Sequence, residues 1–565
     1  MTQPNPAAAD EATRYLASAV HLDDRLADDL IGEFLTEPRR AIPPSPGVNS
    51  EVVLREAVTA RARRVLVAAV VLALLGTLVG IGSYLVVAWL ASALAWRLSS
   101  VVVTVGATWM LRNIETPPQF PRWLHWWLTY LLWGSVTWVF LIVALSPLLV
   151  SGQRTSADPS ELLFALSLIV QALIFGVLLT EKLMRQHVVD QWYRFGNYVP
   201  GTPPRDTVVR SCGPYANRLR RFAEADARTG QHSPAEFVVF RGLNPFVGAG
   251  IHLEKWSWST TLELYPADPG ANGGVPTFTP MELQDFVTKD LMALRETSTL
   301  TPGWRFSDLH IAHWALLDSG HLLHYPDAAP LLQQLEAGMN PQMLPEYWAG
   351  LMNSSPEWLR YFRCYRVEGW ERQLAVSTFL HVGCQQRTLM LECQSFVLPP
   401  IDPAYRTVDR RRLPVLPELW QTLCEFALLP TTIPARIGTI WRWLRDQARV
   451  GGSAWRSPGE AAIAFGAECS VRELGSGDAF NNFFEVTDKE RYLLILRERI
   501  FDAVSRFLTE KGISTTDFER SVTQISNATY INNSNVVANN IGGSNNRGVM
   551  NGATMPVSSP AAPSR

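Results

Sequence analysis

From Val65 to Leu111 the chain is almost uninterrupted apolar, broken only by Arg97 and a few small polar residues. About 20 apolar residues cross a hydrocarbon core, so this run is too long for one span. Gly80, Gly82 and Ser83 offer a place to turn, which predicts a hairpin of spans over 65–81 and 84–105. Two further apolar stretches, 123–150 and 162–180, bring the expected number to four, or three if the first run is a single crossing. Composition agrees. Of the 565 residues 47% are hydrophobic and 18% charged, against about 25% charged in soluble domains.

Orientation follows from the Lys/Arg bias of the flanks. Arg61, Arg63 and Arg64 precede the first span, Arg112 and Arg122 separate the second from the third, and Lys182, Arg185 and Arg194 follow the fourth. The remaining loop, 151–160, carries only Arg154. An even number of crossings therefore places both termini and the large C-terminal part in the cytoplasm, in a cell (inner) membrane. Trp123, Trp126, Trp127 and Tyr130 read as an interfacial belt. The first apolar run starts some sixty residues in and is too long for a signal-peptide core. All six cysteines follow the last span, and cytoplasmic thiols are expected to stay reduced. Fifty Lys+Arg against 52 Asp+Glu give a net charge of −2, which removes the general electrostatic attraction to nucleic acid. The expected partners are the lipid bilayer and a second copy of the chain.

The chain divides into a helical cytoplasmic segment (1–64), transmembrane helices (65–182), linker and helices (183–234), an α+β domain (235–450), a helical region (451–522) and an asparagine-rich tail (523–565). The fold class is membrane α-helical plus a soluble α+β domain with an antiparallel sheet. In the first segment, 10–22 and 23–35 read as two amphipathic helices with Asp10 and Asp23 as N-caps. Residues 50–64 then resume a helix leading directly into span one. In the α+β domain, 236–240, 309–317, 373–383 and 388–398 read as strands, the last two as a hairpin across 384–387. Residues 253–264 alternate with period two, whereas 281–297 and 347–362 read as helices. Pro414, Pro417 and Pro430 punctuate a helical stretch before an amphipathic helix over 437–448. In 488–511, Tyr492, Leu493, Ile495, Leu496, Ile500, Val504 and Leu508 form the stripe of a docked or self-associating helix. The tail suits either a flexible segment or a stacked asparagine ladder.

Candidate chemistry is sparse. Gly242, Gly248 and Gly250 make the connection 241–250 glycine-rich, but Leu253 stands where a dinucleotide fingerprint needs its third glycine, and no Gly-Lys-Ser/Thr follows. They are kept as ligand-binding candidates. His310, His313, His321 and His324 have the spacing H-x2-H-x7-H-x2-H. Residues three apart share a face on a helix and could bind zinc, but point to opposite faces on a strand. The alternation of Leu309, Ile311 and Ala315 favours the strand, so they are metal candidates only, and no cofactor is expected. Cys384 and Cys393 flank the hairpin and could approach each other; Glu254 and Glu392 are carboxylates without an evident partner. Spans three and four hold only Gln171 as a strongly polar residue at mid-depth, which disfavours ion transport.

The segments TRYLASAVHLDD, EPRRAIPPSPGVNSEVVLREA, VVFRGLNPFVGAG and FVLPPIDPAYRTVDR resemble a group of uncharacterised multi-pass membrane proteins of actinobacteria. The resemblance runs from about Thr13 to Arg520 and implies a bacterial inner membrane, with no activity to carry over. The tail is similar in composition to tails on some bacterial signalling and defence proteins. Together these observations predict a membrane-anchored, non-enzymatic protein whose cytoplasmic α+β domain binds a ligand or partner, self-assembling through its C-terminal helix and tail. The alternatives are a membrane-tethered enzyme with its site in the α+β domain, and a small-solute transporter.

Overall fold

The computed structural model describes residues 10–81, 89, 93, 159–200, 213–229, 235–267, 277–296, 306, 308–322, 324–337, 341, 345–409, 415–452, 465–477 and 480–527. The chain opens with α1 (Glu11–Leu22) and α2 (Asp24–Phe34). Asp23 caps α2, its carboxylate accepting from the amides of Arg25 and Leu26 at 2.9 and 3.3 Å. Asp10 does not cap α1; its carboxylate instead accepts from the Tyr198 hydroxyl at 2.8 Å. Burying Leu16, Ala19, Leu26, Leu30, Ile31 and Phe34, the two helices pack on the start of α3 (Ser50–Ile81).

That third helix runs without a break from the N-terminal segment into the first expected span, as the continuous pattern from 50 to 81 predicts. It packs against α4 (Pro159–Val188) through Val71, Leu75, Leu78, Val170, Ile174 and Leu178. Where four spans were expected, two helices among the described residues, Ser50–Ile81 and Leu162–Tyr193, are long and apolar enough to cross a membrane. The spans over 84–105 and 123–150 lie outside the described residues, save for Trp89 and Ala93.

A fifth helix, α5 (Ala216–Thr229), returns to the cap. There the Asp226 carboxylate accepts from the Glu51 amide at 3.1 Å, at the first turn of α3, where the positive end of the helix dipole favours an anion. Burial outweighs that benefit and pushes its pKa up to about 7.

The α+β body is built on seven strands: β1 (Ala235–Phe240), β2 (Ile251–His252), β3 (Trp258–Glu263), β4 (Leu309–Asp318), β5 (Leu359–Gly369), β6 (Leu374–Gln385) and β7 (Thr388–Leu398). The order is β1-β4-β5-β6-β7-β2, with β3 also paired to β7. The expected antiparallel sheet is in fact mixed, because β1 lies parallel to β4; the chain between them makes a crossover that carries α6 (Pro280–Glu296). The expected helix over 347–362 is corrected as well: α8 (Pro345–Asn353), which follows α7 (Ala329–Glu336), ends first, and Leu359 to Phe362 belong to β5. Trp358, Leu359, Tyr361 and Phe362 fit a helical period, but aromatic and β-compatible side chains pack equally well on a pleated surface.

Helices cover one face of the sheet. Leu309, Ile311, Tyr365, Val367, Leu380 and Leu391 meet α6 and α12 (Phe483–Glu510). The apolar stripe of 488–511 is thus docked inside the body, with Leu493, Leu496, Ile500, Val504 and Leu508 buried, so this face is not available for self-association. The opposite face is covered by the loop 241–250, whose Phe246 ring lies 5.1, 4.6 and 4.7 Å from Phe362, Phe379 and Phe396. Between body and tail, residues 516–527 are helical, so the segment beginning at 523 starts ordered.

Two more helices, α9 (Val415–Ala427) and α10 (Leu429–Gly452), were assigned from sequence to the α+β domain. They pack instead against α4 and α3, with Leu429 fully buried among the apolar residues of those helices. A four-residue helix, α11 (Val471–Leu474), precedes α12.

One pH effect follows from Asp226. Between about pH 4 and pH 7 the folded chain holds a proton there that the unfolded chain has released, so stability falls as pH rises through that window, by at most about 1.4 kcal/mol per pH unit. Asp226→Asn should flatten this part of the curve of melting temperature against pH for the detergent-purified chain; an unchanged slope would assign it to other groups.

Candidate functional site

At the level where the apolar stretches of α3 and α4 end, charged side chains from the first segment, both apolar helices and α9–α10 converge. Arg61 Nη2 donates to Asp446 Oδ2 at 2.7 Å, with both side chains buried. Asp28 receives three arginines: Arg64 at 3.2 Å, Arg442 at 3.3 Å and Arg61 at 3.7 Å. Arg185 pairs with Glu181 at 2.6 Å and Asp24 at 3.5 Å. Further along α4, Lys182 and Arg436 share Glu425 at 3.2 and 2.9 Å. Burying so many charges requires this degree of pairing, because each unpaired ion would lose its hydration without compensation.

His21 completes the layer as a neutral group. Its Nδ1 faces Arg63 Nη2 at 3.1 Å and its Nε2 faces Glu56 at 3.0 Å. Arginine can only donate, so Nδ1 accepts and Nε2 carries the proton toward Glu56. Full burial holds its pKa below the usual histidine range, in agreement with that tautomer.

Within this layer lies an open cleft of about 570 Å³ between α2, α3, α4, α9 and α10. Asp24, Asp28, Asp29, Glu181 and Glu425 line it together with Arg25, Arg64, Arg185, Arg436 and Arg442, so its five acidic and five basic groups balance. Two of the basic groups are incompletely used. Among the described residues Arg185 Nε is buried without a hydrogen bond, and Arg64 Nε meets Asp24 only as an ion-pair contact at 3.4 Å. Ala68, Ala435, Gly438 and Thr439 keep the wall between α3 and α10 low.

The residues singled out from sequence lie elsewhere. The amides of Gly248 and Gly250 point inward to one carboxylate oxygen of Glu473, at 2.9 and 2.8 Å, so the chain's own side chain occupies the concavity. Both have φ near +95°, and a Cβ would meet Pro44 O at 2.2 Å or Val397 O at 2.3 Å, which explains the glycines by backbone approach. Gly242 also has positive φ but no atom within 4 Å of its Cβ position, and takes no part in this contact.

The four histidines are not brought together. His310 and His313 lie on β4 on opposite faces, three residues apart. His310 approaches Glu368 at 3.9 Å. On the helix-covered face His313 Nδ1 meets the Tyr361 hydroxyl at 2.8 Å, and that hydroxyl also accepts from Arg363, which donates to Asp285 at 2.7 Å. Burial beside Arg363 lowers the His313 pKa to about 4. His321 pairs with Asp318 at 3.1 Å and His324 faces Gly320 O at 3.0 Å. Among the described residues no group of three or more His, Cys, Asp or Glu is placed to hold a metal ion. Cys384 lies opposite Leu389 and Cys393 opposite Leu380, four rungs apart, and both are free thiols.

Sequence reasoning assigned Arg61, Arg64 and Arg185 to topology alone. Their spacing did carry a signal: Asp24 and Asp28 are one helical turn apart, as are Arg61 and Arg64, and the two pairs face one another. The strength of the layer is open to test. Asp446→Ala leaves Arg61 with only its 3.7 Å contact to Asp28 and should cost about 3 kcal/mol, read as a large drop in melting temperature, while Arg61→Met/Asp446→Leu should recover much of the loss. Equal or additive losses would show that the pair itself contributes little.

The comparisons bear on the body. No curated protein and no solved structure matches the chain. A family model described as an AbeC-like domain matches residues 257–546, just over half of the chain. The match begins at the start of β3 and takes in β4–β7, α9–α10 and α12, but leaves out β1, β2 and the apolar helices α3 and α4. On that match, the chain belongs to the AbeC-like domain family.

Proposed function

We propose that the chain is a membrane-anchored, non-enzymatic binding protein. In this reading α3 and α4 cross the bilayer, the AbeC-like α+β body lies on the cytoplasmic side, and the cleft at their junction takes a small zwitterionic ligand. The observation that carries it is the cleft's own balance of five acidic and five basic groups, with buried edges of Arg64 and Arg185 left without full hydrogen bonding. A ligand with net charge would leave one member of a buried pair uncompensated, whereas a phosphate or carboxylate joined to an ammonium group can meet both signs. Its volume lies within the range of small-molecule sites. The non-enzymatic part rests on the pairing of the lining carboxylates: Asp24, Asp28, Glu181 and Glu425 are each engaged by arginine or lysine, which disfavours their service as base or nucleophile. Self-association through the asparagine-rich tail belongs to the same reading, since the apolar face of α12 is already packed on the sheet.

Two measurements test it. With a membrane-impermeant maleimide on intact cells, Ser156→Cys should label and Ser558→Cys should not; labelling at position 558 alone contradicts a cytoplasmic body. Calorimetric titration of the full chain in nanodiscs with glycerophosphoethanolamine, whose phosphodiester carries one negative charge against its ammonium, should give a saturable signal at least tenfold weaker in Arg185→Gln. Equal binding of inorganic phosphate, or no effect of the substitution, would refute the zwitterionic site.

A further inference from the structure

The α9–α10 hairpin lies within the part of the chain that the sequence assigns to the soluble body, yet its surface and its turn fit hydrocarbon. We infer that α9–α10 is a re-entrant hairpin that enters the bilayer from the cytoplasmic side and returns, held between α3 and α4. This rests on the membrane reading of those two helices.

Depth is the first observation. At the turn, Phe426 lies 5.9 Å from Phe175 of α4 and 4.9 Å from Trp89. Phe175 is ten residues beyond Arg185, at most about 15 Å along the helix, and Glu425 beside Phe426 is held by Lys182 and Arg436, so the turn lies past Arg185 within the near half of a 30 Å core, with its one neighbouring carboxylate paired. Returning along α3, Asp446 reaches Arg61 back at the layer.

The second observation is the backbone of the turn. In hydrocarbon every carbonyl must find a donor within the protein. Ala427 O accepts from Trp89 Nε1 at 3.1 Å. Leu428 O accepts from both the amide and the hydroxyl of Thr431, at 2.9 and 2.7 Å, and Leu429 O accepts from the Thr432 hydroxyl at 2.8 Å. Such a turn has no need of water.

The third is the outer surface. Leu419, Trp420 and Leu423 on α9, and Ile437, Trp441 and Leu444 on α10, are all exposed. On α10 the exposed positions recur every three or four residues, the stripe of an amphipathic helix turned outward. They continue the exposed apolar surface of α4, where Leu162, Ile169 and Leu173 are more than half exposed. One occupant, lipid acyl chains, can cover both surfaces at once. Toward the layer α10 carries Arg442, Arg445 and Arg449 beside Trp441 and Trp443, the residues that favour an anionic membrane interface.

The test places a bimane label on single cysteines at Leu423, Ile437, Leu168 and Tyr347, in a full-length chain whose accessible native cysteines are serine. All four side chains are exposed, so labelling them leaves the core intact. In nanodiscs of phosphatidylcholine and phosphatidylglycerol, lipid-borne doxyl should quench the labels at 423, 437 and 168 at least threefold more than at 347. Aqueous iodide should show the reverse order. Labels at 423 and 437 that answer to iodide, or to neither quencher, while that at 168 answers to lipid, would overturn the hairpin and leave the anchor standing. Iodide quenching at all three would remove the anchor, and the hairpin with it.

Discussion

The buried charge layer at the foot of α3 and α4 is the constraint on which the other parts depend. Two long apolar helices end where Arg61, Arg64 and Arg185 begin; Arg61 and Arg64 are buried and Arg185 is half-buried, so their guanidinium groups need partners within the protein. Their partners come from separate parts of the chain: Asp24 and Asp28 from α2, Glu181 from α4, Asp446 from α10. An uncompensated buried charge is far more costly than a surface one, so the layer fixes the cap, the apolar helices and the hairpin relative to one another. The cleft is a by-product of that arrangement, formed where small side chains leave the space over the paired charges unfilled.

A second buried carboxylate organises the body. Glu473, in the capping box of α11, accepts from the amides of Gly248 and Gly250 and from Ser470 N at 2.7 Å. This draws the loop 241–250 over the sheet and seats Phe246 in its ring cluster. The glycine-rich connection that first suggests a ligand is therefore satisfied from within the chain. Such backbone nests suit anions in general, and sequence spacing alone gives no means of telling an internal carboxylate from an external phosphate.

Much of the fold was legible because local patterns and burial agree. The unbroken helix from Ser50 into the first apolar run, the capping by Asp23 and the hairpin β6–β7 all follow from periodicity and turn chemistry. The misreadings have physical causes. Residues 347–362 carry aromatic side chains that satisfy both periods, and the pairing of β5 between β4 and β6 decided for the strand. A parallel β1–β4 pair leaves no local trace, since it depends on a crossover. The prolines near α9 and α10 were read as punctuation of a soluble stretch, whereas Leu429 and Phe426 pack against the apolar helices. Of the site, only the arginines were noticed, and for their bearing on topology; their acidic partners lie up to 385 residues away in sequence.

The central claim is that the charge layer joins the apolar helices, the cap and the AbeC-like body into one cooperative unit. Hydrogen exchange read by mass spectrometry on the full chain in nanodiscs tests it most directly. Amides of 24–34, 50–64 and 440–450 should exchange slowly and with a common opening free energy, close to that of the central strands β5 and β6. Exchange of these three segments within seconds, while β5 and β6 remain protected, would mean that the body hangs loosely from its helices, and would contradict the account.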